Sequence, residues 1–176
     1  MFDVVVAADR EWGIGKASGL PWPKLRGDLA HFKRVTCATS EVKCTAIVMG
    51  RKTWESAEVA GKPLPKRLNV VVTRRSGLEV PAGVVVAASL DAGLTATAQA
   101  DIEGVFVVGG AEIYREAFTR ADLRWIYLTR VDGAFQCDTH IPELDRDFER
   151  VPWDGEQALE DNGIRYRIER LARRPR

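Results

Sequence analysis

Residues 107–118, VVGGAEIYREAF, decide the fold of this chain because an apolar run changes there into a helical pattern across two glycines. We predict that a buried strand ends at Val108, that Gly109 and Gly110 form the turn, and that a helix opens toward Ile113. An apolar strand followed directly by a helix is the repeating unit of α/β proteins with a parallel sheet. The stretch therefore predicts that class.

Similar strand signals recur on both sides of this unit. Short runs rich in Val and Ile predict strands that are buried on both faces and hence parallel. They are DVVVAA at 3–8, TAIVMG at 45–50, LNVVVT at 68–73, GVVVAA at 83–88, GVFVVGG at 104–110 and WIYLTRV at 125–131. Helical segments are expected at residues 25–36, 51–58, 89–99 and 111–119. RYRIERL at 165–171 alternates polar and apolar residues, as a half-exposed antiparallel edge strand would.

The order of these elements predicts one α/β domain over residues 1–176, with a mostly parallel central sheet, an antiparallel C-terminal edge strand and helices on both faces. The 26 basic and 25 acidic residues leave a net charge of +1, which argues against binding to nucleic acid or to a membrane. Cys37, Cys44 and Cys137 lack metal-ligand or redox spacing and predict free thiols in the cytoplasm. We expect a monomer.

A charged residue stands out in GLPWPKLRGDLAHFKRVT at residues 19–36. This stretch predicts a loop that runs into a helix with Leu25, Leu29 and Phe32 on one face, and Asp28 falls inside the same arc. A carboxylate on an inward-facing stripe costs free energy unless a partner meets it. The sequence therefore predicts a binding partner for Asp28.

Three strand ends could bind an anion. Backbone N–H groups after Gly109 and Gly110 point out of a helix start. Arg51 and Lys52 in the first turn after another strand are unfavourable unless an anion lies nearby. Arg74 follows a third strand, and ligands gather at the carboxyl ends of parallel strands, so a dinucleotide with a 2′-phosphate could span all three.

Plain tight turns and solvated surface cations remain alternative interpretations of these three places. Neither the G-x-G-x-x-G fingerprint nor a Walker A loop is found, which argues against an ordinary Rossmann domain. His31 and His140 lie far apart in the sequence and no cluster completes a zinc set, so no metal site is predicted. No G-x-S-x-G nucleophile motif is found either.

Several longer motifs follow one another along the chain. They are GIGKASGLPWPKLRGDLAHFKRVT, VMGRKTWES, PLPKRLNVVVTR, VVGGAEIY, IYLTRV and CDTHIP. In order and spacing they resemble the dihydrofolate reductases, whose first motif has G-I-G, then L-P-W, then an acid, then F-K-x-x-T. The resemblance covers essentially the whole chain.

This resemblance implies the reduction of 7,8-dihydrofolate to 5,6,7,8-tetrahydrofolate, with a hydride passing from NADPH to C6 and a proton added at N5. Dihydrofolate and folate-like inhibitors would be the ligands. Asp28 would accept the pterin N3–H and 2-amino group, and Arg67 would bind the glutamate carboxylate of the substrate. Implied catalytic positions are Asp28, Trp22, Leu20, Tyr114 and Thr129.

The resemblance also implies two sets of binding residues. The substrate set is Val6, Ala7, Asp28, Leu29, Phe32, Arg67, Val108 and Thr129. The NADPH set is Ala7, Ile14, Gly15, Gly50, Arg51, Lys52, Thr53, Ser56, Val72, Thr73, Arg74, Gly109, Gly110, Ala111, Glu112, Ile113 and Tyr114. Ile14, Leu20 and Trp22 would belong to a mobile loop that closes over the site.

The chain departs from the commonest family pattern in a few places. Extra residues lie near 37–43 and 57–61, which we interpret as loop insertions. Ala111 stands in place of a frequent glycine, Glu112 puts an acid near the cofactor, and Cys137 replaces the glycine before Asp-Thr-His. Alternatives are a riboflavin-biosynthesis reductase of the same architecture and a noncatalytic nucleotide-binding module. We expect no thymidylate synthase domain in this chain.

Overall fold

A computed structural model describes residues 1–37 and 39–175, so Ala38 in the first insertion and the terminal Arg176 lie outside the described residues. The helices in the described part are α1 Arg26–Thr36, α2 Arg51–Trp54, α3 Leu90–Ala96 and α4 Ala111–Thr119, with a 3₁₀ turn at Leu144–Arg146. The strands there are β1 Phe2–Ala8, β2 Gly13–Gly15, β3 Cys44–Gly50, β4 Arg67–Val72, β5 Val85–Ala87, β6 Ile102–Val107, β7 Leu123–Val131, β8 Thr139–His140, β9 Phe148–Arg150, β10 Gln157–Asp161 and β11 Ile164–Arg173.

One large sheet has the strand order β10-β11-β7-β1-β6-β3-β4-β5, with β9 paired to β11. All six Val- and Ile-rich runs are strands of this sheet, and β7, β1, β6, β3, β4 and β5 pair in parallel. The predicted α/β class and parallel core are confirmed. The carboxyl ends of these parallel strands meet at one edge, where the predicted anion positions lie.

Alternating side chains of the strands form two hydrophobic layers. Val4 and Val6 of β1 pack with Tyr114 and Phe118 of α4 on one face of the sheet. Val5 packs on the other face in a cluster that includes side chains of α1 and α2. Helices therefore cover both faces, as predicted, because consecutive residues of a strand point to opposite sides.

The C-terminal strand differs from the prediction in its position. β11 is antiparallel to β7, as expected, but it is not an edge strand, because β10 and β9 pair with its other side. Residues Asn162 and Gly163, with φ of 53° and 74°, connect β10 to β11. Asn-Gly between alternating runs is a strong hairpin signal, and it indicates an additional strand before β11.

The second helix is shorter than predicted. The segment predicted at residues 51–58 is helical only over Arg51–Trp54. Turns replace the helix beyond that point, and Ala60 and Gly61 have φ of 52° and 66°, which a right-handed helix does not allow. The third helix, predicted at 89–99, ends at Ala96. None of the helices in the described part of the chain is long and apolar enough to cross a membrane.

Candidate active site

Asp28 lies in the first turn of α1 and faces the sheet. The hydroxyl of Thr129 on β7 donates to Asp28 Oδ1 at 2.6 Å, and Thr129 is itself buried next to Ala7, its partner across β1 and β7. Burial raises the pKa of Asp28, and the hydrogen bond from Thr129 opposes that rise. Asp28 takes part in none of the ion pairs between described residues. Its carboxylate therefore retains acceptor capacity toward a ligand.

The start of α1 is fixed by the distant β10–β11 hairpin. No side chain at the N-cap residue caps α1. Instead, Asp161 Oδ2 accepts the N–H of Gly27 at 2.9 Å and also accepts the hydroxyl of Tyr166. A Cβ at Gly27 would lie 2.4 Å from that hydroxyl oxygen, so only glycine allows this approach. The hairpin thus sets the position of the turn that carries Asp28.

Tyr114 of α4 enters the same region from the opposite side of the sheet. Its hydroxyl donates to the carbonyl of Val5 at 2.7 Å, and the ring is buried. Burial, together with the nearby Asp28, raises the pKa of Tyr114, so the phenol stays protonated and donates. Val5 was not among the predicted residues, because a backbone carbonyl leaves no signal in the sequence. Val6, which was predicted, contributes its side chain to the core.

Arg67 lies at the other end of α1. Its Nη1 donates to Thr36 Oγ1 at 2.8 Å and its Nε donates to the carbonyl of Pro65 at 3.0 Å. Burial lowers the pKa of Arg67, and no carboxylate forms an ion pair with it among the described residues. Eight residues of α1 separate Asp28 from Thr36, which is about 12 Å along the helix axis. An anionic and a cationic group thus mark the two ends of one helix.

Two apolar side chains, Leu29 and Phe32, lie between these ends on α1. Leu29 is 39 % exposed and Phe32 is partly buried against the cluster that contains Val5. An apolar, partly accessible surface between two charged groups suits an amphipathic ligand of similar length. Val108, predicted as the last strand residue, lies just after β6 and packs in the same cluster.

The loop before α1 places Trp22 beside the helix start. Trp22 is buried, packs with Leu25 and contacts Phe135 edge to face. Its indole Nε1 is buried without a hydrogen-bond partner among the described residues. Ile14 packs on the core from β2, and the carbonyl of Gly15 accepts the N–H of Asp138 at 3.0 Å.

Several of the predicted cofactor residues lie together on a glycine-lined surface where three elements meet. The N–H of Gly50 donates to the carbonyl of Gly109 at 2.7 Å, and the Gly109–Gly110 peptide bond is cis. Gly109 has a φ of 118°, and a Cβ there would lie 3.2 Å from Thr53 Oγ1. A Cβ on Gly50 would lie equally close to Ile113. A side chain at either position would thus crowd Thr53 or Ile113, so glycine is favoured at both.

The start of α4 has unpaired donors next to these glycines. Gly110 is its N-cap residue and provides no side-chain cap, and Ala111 and Glu112 form the first turn. Such a helix start favours an anion. The exposed carboxylate of Glu112 adds a negative charge here, as the sequence indicated.

The cations predicted to bind phosphate occupy different environments. Arg51 forms an ion pair at 2.5 Å with Glu55, just after α2, whereas Lys52 and Arg74 are exposed. Arg74 forms no ion pair within residues 1–37 and 39–175. Thr73, just after β4, accepts the N–H of Arg75 at 3.1 Å. Two further predicted residues, Val72 and Ser56, lie at the end of β4 and just beyond α2.

Parallel strand ends with glycine turns and helix starts along one side are typical of nucleotide-binding α/β proteins, and the charged groups near the two ends of α1 are candidate contacts for an amphipathic molecule. A family model described as dihydrofolate reductase matches residues 1–173. The chain therefore belongs to the dihydrofolate reductase family, as its motifs predicted.

Relatives of this chain include fused and single-activity proteins. It is 44 % identical over 172 residues to bifunctional dihydrofolate reductase-thymidylate synthase 1 of Arabidopsis thaliana, covering 94 % of this chain and 33 % of that relative. It is 38 % identical to a dihydrofolate reductase of Aedes albopictus and 34 % identical to one of Drosophila melanogaster, with 94 % of this chain and 93 % of each relative covered. The chain thus spans about a third of the plant relative's length.

Proposed function

We propose that this chain catalyses the NADPH-dependent reduction of 7,8-dihydrofolate to 5,6,7,8-tetrahydrofolate. The observation that carries the proposal is the pair of groups on α1, an acid at one end and an arginine at the other, neither of which forms an ion pair with a described residue. Dihydrofolate has matching groups in the same order, because its pterin presents N–H donors and its glutamate presents carboxylates. Family membership supports the same substrate.

Asp28 orients the pterin in this proposal. Its carboxylate accepts hydrogen bonds from the pterin N3–H and 2-amino group. The Thr129 hydroxyl donates to Oδ1 and so fixes the plane of the carboxylate. The negative charge stabilises the positive charge that develops as N5 gains its proton. Asp28 lies too far along the pterin edge to protonate N5 directly, so water delivers that proton.

The remaining substrate residues fix the position of the molecule. Leu29 and Phe32 contact the pterin and benzoyl groups, and Arg67 holds the glutamate carboxylate, a task that suits a planar guanidinium. Val6, Ala7 and Val108 line the part of the pocket that binds the pterin. Trp22 and Leu20 cover the pocket and exclude water from the reacting atoms.

The glycine-lined surface fits a dinucleotide. Gly109, Gly110 and the start of α4 would hold the diphosphate, and Thr53 would support it from α2. Arg74 would meet the 2′-phosphate that distinguishes NADPH from NADH. NADPH supplies the hydride when bound, and the protein supplies alignment and electrostatics. The other residues assigned to this surface are Ala7, Ile14, Gly15, Gly50, Arg51, Lys52, Ser56, Val72, Thr73, Ala111, Glu112, Ile113 and Tyr114.

The test is an absorbance assay of NADPH oxidation with dihydrofolate as substrate. We expect turnover with dihydrofolate and none with a ribosylaminopyrimidine-type precursor of riboflavin biosynthesis, whose ribosyl side chain the riboflavin-type reductase would reduce. Turnover with the latter alone would favour the riboflavin-type reductase. NADPH binding without turnover of either substrate would favour the noncatalytic module.

Two further properties belong to the same proposal. Three cysteines, none in a disulfide, support the reducing cytoplasm, and a net charge of +1 supports action on a small molecule rather than on nucleic acid or a membrane. The proposal also includes a monomeric state. Light scattering of the purified chain measures its molar mass in solution and tests whether it is a monomer. A dimer at micromolar concentration would contradict it.

A further inference from the structure

A carboxylate from the segment after α2 contacts the exposed loop between β2 and α1. The backbone N–H of Leu20 donates to Glu58 Oε1 at 2.9 Å. A Cβ on Gly19 would lie 3.3 Å from Oε1 and 4.0 Å from Oε2 of the same residue. Both oxygens of Glu58 therefore face the tight turn that Lys16 and Gly19 close by two backbone hydrogen bonds.

Glu58 is carried by a firmly anchored segment. The N–H of Gly61 donates to the carbonyl of Trp54 at 2.8 Å, which folds the segment back onto α2. Val59 packs against the hydrophobic cluster that contains the buried Trp54. The backbone that carries Glu58 is thus held against α2.

The loop itself has few other anchors at this point. Lys16, Ala17 and Ser18 are exposed, and Leu20 is 39 % exposed. On the opposite side of the turn, Asp138 Oδ2 accepts the N–H of Ala17 at 2.8 Å. Two carboxylates from different parts of the chain therefore hold two amides of the same turn.

We propose that Glu58 is a positioning residue that ties the loop carrying Leu20 and Trp22 to α2 and holds it at the mouth of the pocket. Hydrogen bonds to a carboxylate are stronger than those between neutral groups, although solvent and salt weaken an exposed one. Without Glu58 the Leu20 N–H bonds to water, and the loop opens more often. The effect on catalysis rests on the proposed function; the contact does not.

Amide hydrogen exchange of the ¹⁵N-labelled, ligand-free protein tests the contact. In Glu58→Ala we expect the Leu20 amide to exchange about three- to tenfold faster, while the Ala17 amide, held by Asp138, keeps its rate. Glu58→Gln retains an acceptor without the charge, so its Leu20 amide should exchange at a rate between those of the unsubstituted protein and Glu58→Ala. Glu116→Ala removes the same charge from an exposed position of α4 and should leave both amides unchanged.

Two results of the exchange experiment would overturn the proposal. An unchanged Leu20 amide in Glu58→Ala would show that the contact contributes nothing in solution. Equal acceleration of Leu20 and Ala17 would show a general loosening of the loop rather than a specific anchor.

Single-turnover kinetics with NADPH and dihydrofolate test the consequence for the reaction. Glu58→Ala should lower the hydride-transfer rate about three- to tenfold, with partial recovery in Glu58→Gln and no change in Glu116→Ala. Faster Leu20 exchange with an unchanged hydride-transfer rate would overturn the positioning role. If the unsubstituted protein does not turn over dihydrofolate, the proposed function fails, and the exchange experiment still decides whether Glu58 anchors the loop.

Discussion

The two halves of the candidate site are built in different ways. On the substrate half, buried polar groups form hydrogen bonds between distant parts of the chain, from Thr129 to Asp28 and from Tyr114 to the carbonyl of Val5. On the cofactor half, glycines leave out side chains where three elements meet, and the cation Arg74 is open to solvent. One half depends on the half-buried carboxylate of Asp28, which a buried hydroxyl holds, and the other depends on many weaker contacts.

This difference predicts how each half responds to substitution. A buried charge acts in a medium of low effective dielectric, so its loss has a large effect on the charges that develop in the reaction. An exposed cation is screened by water and salt. Substitutions on the substrate half should therefore change turnover and substrate affinity strongly, and those on the cofactor half should change cofactor affinity more modestly.

The largest effect is expected from Asp28→Asn. Asparagine keeps the shape and accepts the Thr129 hydroxyl, but it lacks the charge and turns one acceptor into a donor that faces a pterin donor. Hydride transfer should fall by about two orders of magnitude or more at neutral pH. Stopped-flow measurement of a single turnover checks this.

Two controls accompany the Asp28→Asn measurement. NADPH affinity should be unchanged, and lowering the pH should recover part of the rate because it supplies a protonated substrate. Diaminopyrimidine antifolates, which protonate against this carboxylate, should bind the variant poorly. Near-normal turnover at neutral pH would mean that Asp28 only stabilises the helix start, as an acidic residue in the first turn does.

Arg67→Leu should give the next largest effect. Removing the guanidinium should raise KM for dihydrofolate about ten- to a hundredfold, because a charge-assisted contact to the glutamate carboxylate is lost. NADPH binding should hardly change. The control is a pterin substrate without the glutamate; if it loses as much affinity as dihydrofolate, the assigned contact is wrong.

Arg74→Ala tests the cofactor half. We expect NADPH to bind about tenfold more weakly, with little change for NADH, because the 2′-phosphate loses a charge-assisted partner at a solvent-exposed site. Arg75→Ala, which removes an adjacent exposed cation, is the matched control. Fluorescence titration with both cofactors measures the ratio of the two affinities. Equal losses of affinity for NADPH and NADH would show that Arg74 does not contact the 2′-phosphate.

Some features of this comparison were visible in the sequence and others were not. The parallel strands were predictable because Val and Ile runs buried on both faces have a distinct pattern. Asp28 was predictable as a charge inside an apolar arc. Its partner Thr129, 101 positions away, followed only from the family resemblance, because helical spacing does not say which strand a side chain meets.

The contacts that position the site were the least predictable. Asp161 reaches Gly27, Asp138 reaches Ala17 and Glu58 reaches Leu20 across long sequence separations. Each joins an exposed or half-buried carboxylate to a backbone N–H group, and every residue except proline has such a group whatever its side chain. Sequence periodicity identifies faces of elements but carries no signal for such pairs.

The smallest expected effect is on thermal stability. Asp28→Asn and Asp161→Asn should shift the unfolding temperature in opposite directions. Burial raises the pKa of Asp28, so the folded state binds more protons than the unfolded state and loses stability as pH rises from about 3.8 through the raised value. Asp28→Asn should therefore unfold at a temperature higher by roughly a few degrees at pH 7, since about 1 kcal/mol corresponds to about 2–4 °C at this size. The difference should vanish as pH falls toward 4.

Asp161→Asn should have the opposite sign. Hydrogen bonds from Gly27 and Tyr166 lower the pKa of Asp161, so its ionised form stabilises the folded protein above the usual carboxyl pKa, and that stabilisation is lost as pH falls through the lowered value. The variant should unfold at a lower temperature than the unsubstituted protein at pH 7 and match it at acid pH. Thermal unfolding of both variants, followed by circular dichroism, makes the comparison. Shifts of the same sign at pH 7 would contradict it, because they would mean that Asp28 stabilises its helix as Asp161 does.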